Sequence, residues 1–157
     1  MQKSHLRAPF ALAGAAALAL ILAVSGCSSD SASDSASESV VQTADGTVAP
    51  PEVPVRVGVT DFADVIASPD VTIVDVRTPE EFAQGHIEGA VNIPVEYADF
   101  TDQVSQLDAD GTYAVYCRSG NRSQTAVDQM SGVGVNGIYE LESGTNGWAA
   151  AGQPLVQ

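Results

Sequence analysis

The stretch "DVRTPEEFAQGHIEGAVNIP", residues 75–94, holds a strand end, a helix and a new strand in close succession. It is entered from the apolar, β-branched run "VTIVDV" (71–76). In "TPEE", Thr78 stands at the N-cap, Pro79 at the first helical position and Glu81 three residues beyond the cap. That is a capping box, in which hydroxyl and carboxylate each take a backbone N–H left unpaired at the helix start. Gly85 stops the helix, and "AVNI" (90–93) resumes an extended apolar pattern.

Outward from this unit the same alternation continues. "VRVGV" (55–59), "TYAVYC" (112–117) and "GIYEL" (137–141) are short, β-branched and bounded by Gly, Pro or Asp, as strands are. Between the strands, "DFADVIA", "PEEFAQG", "YADFTDQVSQL" and "SQTAVDQMSG" have helical spacing. Strands alternating with helices predict an α/β domain over residues 53–157, with five strands in a mostly parallel sheet flanked by helices.

The first 52 residues read differently. "MQKSHLR" is basic, and "FALAGAAALALILAV" is apolar but shorter than the roughly 20 residues of a membrane-spanning helix. The apolar run ends at "VSGC", Val24 to Cys27, which resembles the lipobox of bacterial lipoproteins. That resemblance implies a signal peptide over 1–27, lipidation of Cys27 and an extracytoplasmic chain anchored to the cell membrane. Residues 28–52, "SSDSASDSASESVVQTADGTVAPPE", contain no aromatic residue and are rich in Ser, Asp and Ala. They predict a disordered tether with a span of about 28 Å.

Charge narrows the partners. The chain carries a formal charge of −14, and Lys3 and Arg7 both lie in the leader. The remaining four arginines face twenty carboxylates. A phosphate backbone needs a basic footprint, so nucleic acid is excluded as a partner. With Cys27 assigned to a lipid anchor, Cys117 has no cysteine to pair with inside the chain.

Cys117 opens the loop "CRSGNRS" (117–123), which lies between a strand and a helix that the spacing starts at Ser123. In α/β sheets, ligands gather at the carboxyl ends of strands, and a helix N-terminus offers free N–H groups to an anion. Gly120 lets the backbone curl so that successive N–H groups turn inward. Arg118 and Arg122 add positive charge nearby. All of this favours the thiolate, whereas an unperturbed thiol near about 8.5 is only a few per cent ionised at neutral pH.

Three motifs together make residues from about 55 to 157 resemble a single rhodanese domain: "DVRTPEEFAQGHIEGAVNIP" (75–94), "YCRSGNRS" (116–123) and "GTNGWAAAGQP" (144–154). The resemblance implies a sulfurtransferase in which Cys117 takes a sulfane sulfur from a small anion such as thiosulfate or polysulfide. The resulting persulfide passes it to cyanide or a thiol acceptor. The N–H groups of Arg118, Ser119, Gly120, Asn121, Arg122 and Ser123 would line the pocket, and no metal or organic cofactor is implied. Asp75 and Arg77 lie at a strand end near the mouth, as a supporting ion pair or as catalytic groups. His86 supports the fold, since a preformed thiolate needs no base, and Trp148 packs in the core. One position departs from the family: in "LESGTNGW", Ser143 replaces the first of two glycines, which leaves the turn at the pocket wall open to change.

Other functions fit these residues less well. Phosphatases and arsenate reductases on the same fold place five residues between Cys and Arg. Here four separate Cys117 from Arg122, and Ser123 stands where the longer loop needs Arg. A non-catalytic binding module at the cell envelope remains the alternative, although such modules commonly lack the cysteine. A thiol redox role fails for want of a resolving cysteine.

Overall fold

The computed structural model describes residues 42, 43 and 45–157. The leader, Cys27 and the tether as far as residue 41 lie outside the described residues. Strands and helices alternate in the order β1 (Val55–Val57), α1 (Val59–Ile66), β2 (Val71–Asp75), α2 (Pro79–Gln84), β3 (Val91–Asn92), α3 (Phe100–Val104), β4 (Thr112–Tyr116), α4 (Asn121–Gly132), β5 (Ile138–Leu141) and α5 (Gly144–Ala150). The strands form one sheet in the order β1-β5-β4-β2-β3, and every pair is parallel. Parallel neighbours need a crossover between them, and the helices supply it. The α/β class, the five strands and the flanking helices are those expected.

Both faces of this sheet are covered, as parallel sheets require. Along β4, Tyr113 and Val115 face the same way as Cys117, in a core with Phe100, Val104, Ala126, Met130 and Ile138. Ala114 and Tyr116 face the opposite way, among Phe62, Val65, Leu141 and Trp148. The period of two along the strand thus puts Cys117 on the face covered by α3 and α4.

Thr78 caps α2 as its sequence predicts. Its hydroxyl accepts the Glu81 N–H at 3.3 Å, and its own N–H donates to Glu81 Oε2 at 3.4 Å. Two boundaries differ from expectation. The packed body begins before residue 53: Val48 is 4% exposed, its N–H donates to Ser68 Oγ, and Tyr139 Oη donates to the Ala49 carbonyl. One apolar side chain and three long-range hydrogen bonds, the third from Thr112 Oγ1 to the Val48 carbonyl at 3.5 Å, hold this segment, whose average composition reads as tether. The second difference is α5, a helix in a stretch read as a turn.

Candidate active site

Cys117 follows the last residue of β4, and the chain curls back into α4 through Gly120, which caps that helix at φ 86°. A Cβ at this position would fall 1.9 Å from the Glu142 carbonyl oxygen. Glycine is therefore required twice, for its left-handed backbone and for the close approach of the loop to the end of β5. Because Gly120 completes the curl, α4 starts at Asn121, two residues before the predicted start at Ser123. Ser123 consequently lies in the first turn, where backbone N–H groups have no intrahelical acceptor.

Those free groups converge on the sulfur. The Gly120 N–H donates to Cys117 Sγ at 3.1 Å, the Ser123 hydroxyl lies 3.4 Å away, and the amides of Ser119 and Ser123 also face it. The residue is 1% exposed. Burial opposes ionisation, but the Ser123 hydroxyl and the amides of Ser123, Ser119 and Gly120 outweigh it. They hold the thiol below its ordinary pKa. Asn121 is exposed on the outer side of the loop.

The N-terminus of α5 braces this loop from behind. The Thr145 N–H donates to the Cys117 carbonyl at 2.9 Å and the Asn146 N–H to the Arg118 carbonyl at 3.0 Å. Gly144 permits the contact: its φ is 54°, and a Cβ there would sit 2.5 Å from the Cys117 oxygen. Ser143 caps α5 with an ordinary φ of −98°, which any residue adopts. Its hydroxyl fills the space that a side chain at position 147 would take, and that position is glycine.

The arginines divide into three settings. Arg77 is buried against Asp75, donating from Nε at 2.9 Å and from Nη2 at 2.6 Å, and it also reaches the Gly85 carbonyl at 2.7 Å. The pair ties the end of β2 to the end of α2. Arg122 forms a forked pair with Glu81 at 2.6 and 2.8 Å, with Glu96 at 3.4 Å. Its charge is thereby shared with two carboxylates from α2 and the segment after β3. Arg118 alone of the four arginines among the described residues has no carboxylate within ion-pair distance. It is exposed and borders a pocket of about 240 Å³ beside the loop, together with Arg77, Thr145 and Leu155.

His86 and Trp148 support the fold as expected. His86 Nδ1 lies 3.0 Å from the Phe82 carbonyl, and its ring stacks on Phe82 at 3.7 Å. Trp148 is 3% exposed, packs edge-on against Phe62 and donates from Nε1 to the Pro154 carbonyl.

Sequence reading missed Glu140. This residue of β5 is 2% exposed, accepts a short hydrogen bond from Ser123 Oγ and pairs with Arg56 Nε at 2.6 Å. A signal was present. In a parallel strand covered on both faces, a charged residue in the middle of "GIYEL" must be buried whichever way it points.

Residues 59–151 match the rhodanese-like domain family. The chain belongs to it. Among its rhodanese relatives is a chloroplast protein of Arabidopsis thaliana named as a thiosulfate sulfurtransferase, 36% identical over 65% of this chain and 92% of the relative. An uncharacterised protein of Synechocystis is 40% identical over 55% of this chain, which spans only 48% of that relative's length. The solved structure of a rhodanese-related protein from Thermoplasma volcanium superposes with a TM-score of 0.57, at 35% identity, covering 64% of this chain and 96% of that one.

Proposed function

We propose that this rhodanese-family chain is a sulfurtransferase that moves a sulfane sulfur through a persulfide on Cys117. The observation carrying this reading is one buried sulfur, facing three backbone N–H groups and a hydroxyl. In the first step the Cys117 thiolate attacks the outer sulfur of an anionic donor such as thiosulfate. The donor S–S bond breaks and its electron pair leaves with sulfite. In the second, cyanide or a thiolate attacks the terminal sulfur of the persulfide, and the bonding pair returns to Cys117. Negative charge rests on sulfur before and after each step, so the same inward amides serve throughout, as an oxyanion hole serves oxygen.

Incubation with thiosulfate followed by intact-mass measurement tests the reading. Wild type is expected to gain one sulfur atom and to release thiocyanate on addition of cyanide, and Cys117→Ser to do neither. An unchanged wild-type mass would refute sulfur transfer and favour a binding module.

The lipid anchor belongs to the same proposal and rests on the "VSGC" motif. Cys27→Ser is expected to abolish labelling of the expressed full-length chain by a radioactive fatty acid. Equal labelling of the variant would overturn the anchor.

A further inference from the structure

Behind the sulfur lies a second line of contacts that persulfide chemistry does not itself require. Cys117 Sγ is 3.4 Å from Ser123 Oγ, Ser123 Oγ is hydrogen-bonded to Glu140 Oε1, and Glu140 Oε2 is 2.6 Å from Arg56 Nε. The strand register explains the convergence. Glu140 pairs with Val115 across β4 and β5, so it shares the sheet face of Val115 and Cys117, and the first turn of α4 sets Ser123 between them.

We propose that Glu140 accepts the proton of the Cys117 thiol through the Ser123 hydroxyl. This rests on the sulfurtransferase reading and adds to it the origin of the thiolate. A serine hydroxyl carries one proton and cannot donate to two anions at once. While Glu140 is ionised, that proton points to Oε1 and the thiol donates to Ser123 Oγ. When the thiol proton moves to Ser123 Oγ, the serine proton passes to Oε1. The hydroxyl then turns to the new thiolate, and the carboxylic acid donates to the hydroxyl. No electrons change partners, and the three groups carry one negative charge in both arrangements.

The surroundings of Glu140 suit a carboxyl that exchanges a proton. Burial raises its proton affinity, the Ser123 hydrogen bond and Arg56 from β1 lower it, and Glu142 just beyond β5 raises it, with the net direction upward. From α4, Asp128 borders with Glu140 and Arg56 a cavity of about 340 Å³. None of the residues lining this cavity lines the pocket beside Arg118. Glu140 touches no reacting atom and acts only through Ser123.

The test measures the pH dependence of Cys117 alkylation by iodoacetamide in the full chain carrying Cys27→Ser, which leaves Cys117 as its one thiol, with infrared spectra taken before the reagent is added; wild type below means this background. This readout needs no sulfur donor, so it stands or falls separately from sulfur transfer. Wild type is expected to show two steps, because thiol and carboxyl share one proton. Glu140→Gln keeps the shape and can donate to Ser123, and it is expected to show one step. At neutral pH, wild type is expected to show a carboxylic-acid carbonyl band without an S–H band, and Glu140→Gln to lose the acid band. Ser123→Ala breaks the connection and is expected to lose the acid band with Glu140 still in place. An S–H band without an acid band in wild type would overturn the proposal, and this spectrum requires no variant to fold. Coincident single-step profiles for wild type and Glu140→Gln would overturn it as well.

Discussion

Replacing Gly120 with alanine puts the curl of the loop to a quantitative test. The new Cβ would lie 1.9 Å from the Glu142 carbonyl oxygen and 2.8 Å from Arg56 Nη2, where real Cβ contacts essentially never fall under 3.0 Å. Arg56 can swing aside, but Glu142 is held by its own N–H on the Val57 carbonyl at 3.2 Å. Loop or strand end must therefore move by about 1 Å. Left-handed backbone costs alanine about 1–2 kcal/mol, and crowding adds about 1–3 kcal/mol. Together they destabilise by about 2–5 kcal/mol, or a fall in Tm of about 10–30 °C for a domain of this size. Gly89→Ala is the matched control: its φ is 80° with nothing within 4 Å of the new Cβ, so only the backbone component applies. The shifted loop also withdraws the Gly120 N–H from Cys117. Losing a hydrogen bond to a charged group, about 1.5–3 kcal/mol, leaves about 10- to 100-fold less thiolate at a given pH below its titration. Calorimetry reads the first effect and the pH profile of iodoacetamide alkylation the second. A variant that melts with Gly89→Ala and alkylates like wild type would refute the close approach described here.

Two further outcomes follow from the arginines. Arg118→Ala, which removes the one guanidinium free of a carboxylate among the described residues, is expected to raise KM for thiosulfate about tenfold and to leave a neutral sulfane donor nearly unchanged, an effect of about 1.4 kcal/mol. Equal losses for both donors in steady-state assays would remove Arg118 from the binding site. Glu81 is held below the usual carboxylate range first by its hydrogen bonds to Arg122, against burial. A depressed carboxylate stabilises the fold above its unfolded pKa of about 4.3, and that contribution is lost as pH falls through the lower folded value. Urea midpoints should therefore show the advantage of wild type over Glu81→Gln shrinking below about pH 4.3. A difference independent of pH would mean that the pair contributes no linked stability.

The parts of this architecture that depend on neighbours in the chain were readable from the sequence. The capping box of Thr78 and Glu81 spans four residues, and the loop from Cys117 to Ser123 spans seven, so spacing alone exposes both. Parallel pairing followed from strands separated by helices. What escaped depends on distant partners or on weak local patterns. α5 contains Gly144 and Gly147 and lacks an apolar period, yet it forms because its amides find the Cys117 and Arg118 carbonyls. Arg122 was read with the anion loop, but its partner Glu81 lies 41 residues earlier and arrives only through folding. Glu140 was hidden inside a strand read for its apolar residues, and Val48 inside a segment read by its average composition.

The bracing of the loop by α5 has a consequence for when the thiol becomes reactive. Ribosomes deliver the chain from its N-terminus, so Cys117 is made before Glu140 and before the amides of Thr145 and Asn146 that fasten its loop. Until those later residues dock, the cysteine is an ordinary thiol with an unsupported loop. Its reactivity is thus a property of the finished fold, and an incomplete chain carries no activated sulfur to misfire.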